Sequence, residues 1–208
     1  MRIPRTATIV LSVLTALAWL LVAAIGRTNA AAATMGFIPA RWSGLIDLSP
    51  AVPALLTPLS STLVHSGLLH IAFNLLMLVW CGSAVERALG RGALLTLYVV
   101  GAYAAAAAQW LADPASMVPV IGASGAISAV IGAYALSFGE TKRVTRWPWL
   151  NRLLNAAWLL AAWVVMQAMI GWAAGGQGLL LATPAHVGGF LAGLLLQRPL
   201  LLWRYRNA

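Results

Sequence analysis

Apolar residues run along this chain in long blocks, separated by short basic or glycine-rich segments. A helix needs about 20 mostly apolar residues to cross a bilayer. Six blocks meet that demand: between Arg5 and Arg27, then about 66–85, 92–112, 117–139, 153–172 and 179–196. The pattern predicts an all-α membrane protein built as a bundle of six transmembrane helices. The connections differ in character. Residues 27–65 form a long segment holding Pro39, Trp42, Asp47, Pro50, Pro53 and Pro58. It is too long for a bare turn and too apolar for a linker, so it is expected to lie at the membrane surface. The loop at 140–152 is basic, and AAGGQG at 173–178 is glycine-rich. No internal repeat stands out, and low complexity is confined to alanine tracts such as 104–108.

Composition narrows the class. Only 8% of the 208 residues are charged, against about 25% in a soluble domain, and the mean hydropathy is +0.88. That leaves no room for a second, soluble domain, so residues 1–208 read as a single membrane domain. The net charge of +9 would point to nucleic acid in a soluble protein. Here the basic residues flank apolar runs, so they set topology in the bilayer and no nucleic-acid partner is expected. With the N-terminus inside, eleven of the 13 Lys and Arg lie inside, and only Arg27 and Arg41 lie outside. Both termini are therefore expected on the inner side. The first block could be taken for a signal peptide. It is longer than a usual signal core, however, and its removal would put the N-terminus outside, so it is read as a span. Cys81 is the lone cysteine, inside an apolar run, and reads as a packing residue.

The unusual polar residues share one level of this topology. His65, His70 and Asn74 fall at the outer end of span two, Ser124 at that of span four, and His186 at that of span six. Ser124 and His186 each sit a few residues in, about 5–10 Å deep at the helical rise per residue. Ionisable residues in membrane spans face a bundle interior or a wet cavity. A serine hydroxyl becomes a nucleophile when a base takes its proton, and histidine is the usual base. Ser124 and His186 are the pair that can act this way. A tetrahedral acyl intermediate needs donors for its oxyanion. His70 and Asn74, four residues apart, share one helix face and can supply them with the Ser124 amide. No acid accompanies His186, so a dyad is expected. No carboxylate or thiol joins the histidines, so no metal and no cofactor are expected.

The glycines fit the same reading. Gly122 and Gly125 flank Ser124 and permit close backbone approach. Gly189 and Gly193 form a small-residue strip in span six, extended outward by Ala185. If that strip packs on span four, His186 is carried to Ser124.

Three stretches carry a resemblance: HSGLLHIAFN at 65–74, GASG at 122–125 and AHVGGFLAG at 185–193, with GSAVERALG at 82–90 in support. They resemble the rhomboid family of intramembrane serine proteases, over about residues 60–197, with the segment at about 27–65 as an external loop. The resemblance implies a rhomboid-like six-helix core that cleaves single-span transmembrane proteins near the external face. It implies Ser124 as nucleophile, His186 as base, His70, Asn74 and the Ser124 amide as the oxyanion site, and His65 in support above it. It also implies a lateral gate formed by span five and the loop at 173–181. Two positions depart from the family. Many members carry a tyrosine one turn after the nucleophile, stacked on the histidine, where this chain has Ser128. The usual Trp-Arg pair of the first loop is reversed here as Arg41-Trp42.

Two other classes compete. A catalytically silent relative would bind transmembrane segments without cutting them, but it would be expected to lack the serine or the histidine. A transporter would carry charges near the bilayer centre, and these charges lie at the edges. The partners expected are single-span substrates and the lipid bilayer, the location a bacterial inner membrane. Nothing in the pattern sets an oligomeric state.

Overall fold

The computed structural model describes residues 6–138, 143–173 and 182–206. Its helices are α1 (Ala7–Ala24), α2 (Thr28–Met35), α3 (Pro39–Trp42), α4 (Thr57–Ser60), α5 (Leu68–Met77), α6 (Ser83–Leu89), α7 (Arg91–Ala112), α8 (Ser124–Phe138), α9 (Pro148–Ala173) and α10 (Thr183–Arg204). A π-helical turn, Leu78–Gly82, joins α5 to α6 into one rod. Among the described residues, five helical stretches are long and apolar enough to cross a membrane: Ala7–Ala24, Leu68–Leu89, Arg91–Ala112, Pro148–Met169 and Thr183–Arg204.

The expected fourth span is different. Helix α8 has 15 residues and begins at Ser124 itself. Residues ahead of it run extended, and Val120 pairs with Phe37 in an antiparallel bridge. That pairing, with N···O distances of 2.9 and 2.7 Å, takes the backbone groups a helix would have used. Gly122 then turns the chain at φ +109°. Ser124 is thus the first residue of a helix rather than a residue one turn inside it.

Helix α8 is buried along most of its length and lies against α7 and α10, with α5, α6 and α9 on its other sides. Lipid gives helices no hydrophobic reason to associate, so close backbone packing must supply the attraction. A Cβ on Gly189 or Gly193 of α10 would run into the backbone carbonyls of Gly125 and Ala129 of α8. Gly132 of α8 makes the reciprocal room for the Phe190 carbonyl. Gly125 also faces α7, where an added Cβ would come 2.6 Å from that of Ala105. Ala185 is buried at the outer end of the strip.

The 27–65 segment is folded rather than loose. Arg41 donates from Nη2 to the Val52 carbonyl, and the Trp42 indole donates to that of Ala54, each at 2.8 Å. The reversed pair therefore stitches this segment to itself. Ser43 and Trp110 tie it to the outer end of α7: the indole donates to Ser43 Oγ at 2.9 Å. At the opposite end of the bundle, Glu86 of α6 accepts from the Ala7 and Thr8 amides and the Thr8 hydroxyl at 2.7–2.9 Å. These are orphan donors of the α1 N-terminus, where a carboxylate is favoured. Arg91 Nε stands 3.7 Å from the same carboxylate. The loop expected to gate the site, 173–181, lies outside the described residues apart from Ala173. The basic loop at 140–152 is described from residue 143 onward.

A side chain at the α8–α10 contact has nowhere to go. Gly193→Val should lower stability by about 3 kcal/mol, the upper end of overpacking effects. Thermal unfolding in detergent, compared with a lipid-facing Leu195→Val control, measures it.

Candidate active site

Three backbone bonds shape the turn that delivers Ser124. The Gly122 amide donates to the Ser61 carbonyl at 2.9 Å, and the Ala123 amide to His65 Nε2 at 3.3 Å. The Ile127 amide then closes onto the Ala123 carbonyl at 2.9 Å as α8 begins. His65 is buried and lies ahead of the second span. Burial, with His70 beside it, pushes its pKa down to about 3 against a smaller opposing effect from a hydrogen bond with the Leu63 backbone. It is therefore a neutral ring accepting at Nε2.

Across the turn, His186 Nε2 lies 2.9 Å from Ser124 Oγ, and both side chains are buried. The contact joins the first residue of α8 to the first turn of α10. His70 enters from α5. A Cβ added to Gly122 would come 2.7 Å from His70 Cε1 and Nε2 and 3.8 Å from Ser124 Oγ, so the His70 ring occupies the space a side chain would fill. Its other nitrogen, Nδ1, faces the Ser66 amide at 3.5 Å and hydroxyl at 3.1 Å. With the amide donating, Nδ1 is the acceptor, and the neutral ring carries its proton on Nε2, the edge facing Gly122. The His65 and His70 rings meet edge to face at 5.0 Å. Asn74 is fully buried one turn along α5 and donates from Nδ2 to the His70 carbonyl at 2.8 Å. Its amide has a second N–H to offer.

The arrangement therefore sets a serine hydroxyl against an imidazole nitrogen, with the His70 ring on the side facing Gly122. A cavity of about 30 Å³ lies beside Ser124, lined by Ser61, Thr62, Gly122, Gly125 and Ala185 among others. That volume admits a single water.

Residues 53–203 match the Rhomboid domain family. The chain belongs to the rhomboid family. Rhomboid protease GlpG of Serratia proteamaculans is 34% identical over 139 residues, 66% of this chain and 45% of that one. Rhomboid protease GlpG of Yersinia pestis is 31% identical over 151 residues, 72% of this chain and 48% of that one. RHOMBOID-like protein 5 of Arabidopsis thaliana is 28% identical over 139 residues, 67% of this chain and 42% of that one. The chain spans less than half the length of these curated relatives. With its family and its apolar helices, this rhomboid protein is an integral, multi-pass membrane protein.

One neighbour of the site was not anticipated. The tryptophans of this chain read mostly as interfacial anchors; on α9, Trp158 and Trp172 are 71% and 72% exposed. Trp163, on the same helix, is 3% exposed. Its indole donates to Ser128 Oγ at 2.8 Å, and its ring stands edge to face with His186 at 6.2 Å. Ser128 in turn donates to the Ser124 carbonyl at 2.7 Å. The position noted as lacking the usual tyrosine thus belongs to a contact from another span.

Two outcomes are expected. Gly122→Ala must displace His70 and adopt a positive φ, so it should lower stability by about 1–3 kcal/mol, the range of a strained backbone position, as read by thermal unfolding in detergent. The second concerns pH. His65 has a lower pKa folded, about 3, than its ordinary 6.5, so the unfolded chain binds the extra proton. Its contribution to stability is complete above pH 6.5 and is lost as pH falls toward 3. Thermal unfolding between those limits should lose less stability in His65→Gln than in the parent.

Proposed function

We propose that this protein is a serine endopeptidase that cuts transmembrane proteins within the membrane, near its external face. The observation that carries this reading is the 2.9 Å contact between Ser124 Oγ and His186 Nε2 in a buried setting. In the first step His186 takes the Ser124 hydroxyl proton while Oγ bonds to the scissile carbonyl carbon. The carbonyl oxygen becomes an oxyanion, met by His70 Nε2–H, the Asn74 amide and the Ser124 backbone N–H. The tetrahedral adduct collapses as the C–N bond breaks, and His186 passes its proton to the leaving amine. A water then attacks the acyl-enzyme, gives its proton to His186 and releases the acid, with the proton returned to Ser124. The water-sized cavity beside Ser124 supports the last step by giving that water a place. Gly125, Gly189 and Gly193, with Ala185, serve by letting α8 and α10 approach, and His65 by holding the turn ahead of Ser124.

The topology follows the same reading. The five long helices and the shorter α8 make six crossings, with both termini inside, as the distribution of arginines favours. The whole chain acts as one membrane domain, with its core at about 60–197. Bacterial relatives named rhomboid protease favour a bacterial inner membrane, and single-span proteins are the substrates proposed.

The test is cleavage of a panel of single-span reporters by purified protein in liposomes. Parent activity should be lost in both Ser124→Ala and His186→Ala, by about 10⁴-fold or more, as when members of a catalytic unit are removed. Cleavage surviving Ser124→Ala would sink the dyad. A folded parent that cuts nothing across a broad panel would favour a silent protein that only binds transmembrane segments.

A further inference from the structure

We propose that Trp163 and Ser128 together are positioning residues for His186, so that a side chain of α9 sets the reactivity of a dyad formed by α8 and α10. The inference rests on the reading of Ser124 and His186 as a dyad.

Trp163 touches both halves of that dyad. Its indole N–H donates to Ser128 Oγ at 2.8 Å, and the Ser128 hydroxyl donates to the carbonyl of Ser124 at 2.7 Å. The same indole presents an edge-to-face contact to the His186 ring, with centroids 6.2 Å apart and planes at 73°. One path runs through hydrogen bonds to the residue that bears the nucleophile. The other runs through ring contact to the base. All four side chains are buried, and in that setting an indole N–H needs an acceptor.

Trp163 is buried and also lines an open apolar groove between α9 and the α5–α6 rod, with Met77, Trp80, Cys81 and Met166 among its walls. The bond to Ser128 fixes which way the indole N–H points. Ser128 is fully buried and has its own proton committed to the Ser124 carbonyl, which leaves a lone pair for the indole. The serine is thus the anchor, and the tryptophan is the group that meets the imidazole. Without the ring edge, the imidazole can tilt, and a base a fraction of an ångström out of line takes the serine proton poorly.

The test separates reactivity of the dyad from access of a substrate. A small fluorophosphonate reacts directly with an activated serine, so its labelling rate reports Ser124 and His186 without entry of a transmembrane helix. Trp163→Phe and Ser128→Ala each break the indole–hydroxyl bond, and Trp163→Leu also removes the ring. The variants are compared with the parent in liposomes for labelling rate and for kcat and KM on a reporter, after thermal unfolding has shown each to be folded. Trp163→Leu should slow labelling and kcat by a common factor of about 10–100, in the range of small misplacements, with KM little changed. Trp163→Phe and Ser128→Ala should each give a smaller loss. The double variant Ser128→Ala/Trp163→Phe should be no worse than Ser128→Ala alone, because Ser128→Ala already removes the bond that Trp163→Phe removes. Should Trp163→Leu fail to fold, the two milder variants and their double decide the matter. Labelling at the parent rate in Trp163→Leu or Trp163→Phe overturns the inference, and so do additive losses in the double variant. A folded parent that is neither labelled nor active overturns the dyad itself, and the inference with it.

Discussion

The contact between α8 and α10 is the constraint on which the site depends. Ser124 and His186 lie on separate helices and stand 2.9 Å apart at the end of a stretch where the two helices lie close together. Within lipid that closeness has to come from backbone meeting backbone. Gly189 and Gly193 present bare Cα atoms to the carbonyls of Gly125 and Ala129, and Gly132 does the same for the carbonyl of Phe190. The interface is reciprocal, with small residues contributed from both helices. Its outer end is where Ser124 and His186 meet, so the packing surface and the chemical site are one continuous feature.

Around that contact, other elements supply what two helices lack. The segment before α5 holds the turn at 122–123 through Ser61 and His65. Helix α5 brings His70 into the space left by Gly122. Helix α9 contributes Trp163 from a buried stripe that also holds Ala156 and Gln167. The site is thus assembled from regions far apart in the chain, each through one or two bonds. A small displacement of any of them reaches the Ser124–His186 contact.

Much of this was legible in the sequence, for a physical reason. Polar side chains are so disfavoured in a membrane span that Ser124, His186, His70 and Asn74 stand out against their surroundings, and helix geometry puts them at one level. The long helices were legible because their apolar length is set by the bilayer. What escaped depended on backbone geometry or on comparison among like residues. The pattern from 117 to 139 is uniformly apolar, and nothing in it shows that Val120 pairs with Phe37 and delays the helix to Ser124. Four tryptophans on α9 look alike in sequence, and only where each falls on the helix separates buried Trp163 from exposed Trp149, Trp158 and Trp172. Ser128 drew notice as a departure from its family, but its partner lies 35 residues away, and no local rule connects them.

The carboxylate of Glu86 bears on how the molecule is made. It closes the N-terminus of α1 from 78 and 79 residues further along the chain. A chain emerging from its N-terminus has α1, with Thr6 capping the Ile9 amide, before Glu86 exists to meet Ala7 and Thr8. During that interval the Ala7 and Thr8 amides must be met by water or headgroups. Arrival of the α5–α6 rod then exchanges those partners for a carboxylate and fixes the first helix in place. The register of α1 against the bundle is therefore set only once its neighbour has been made, by a residue of that neighbour.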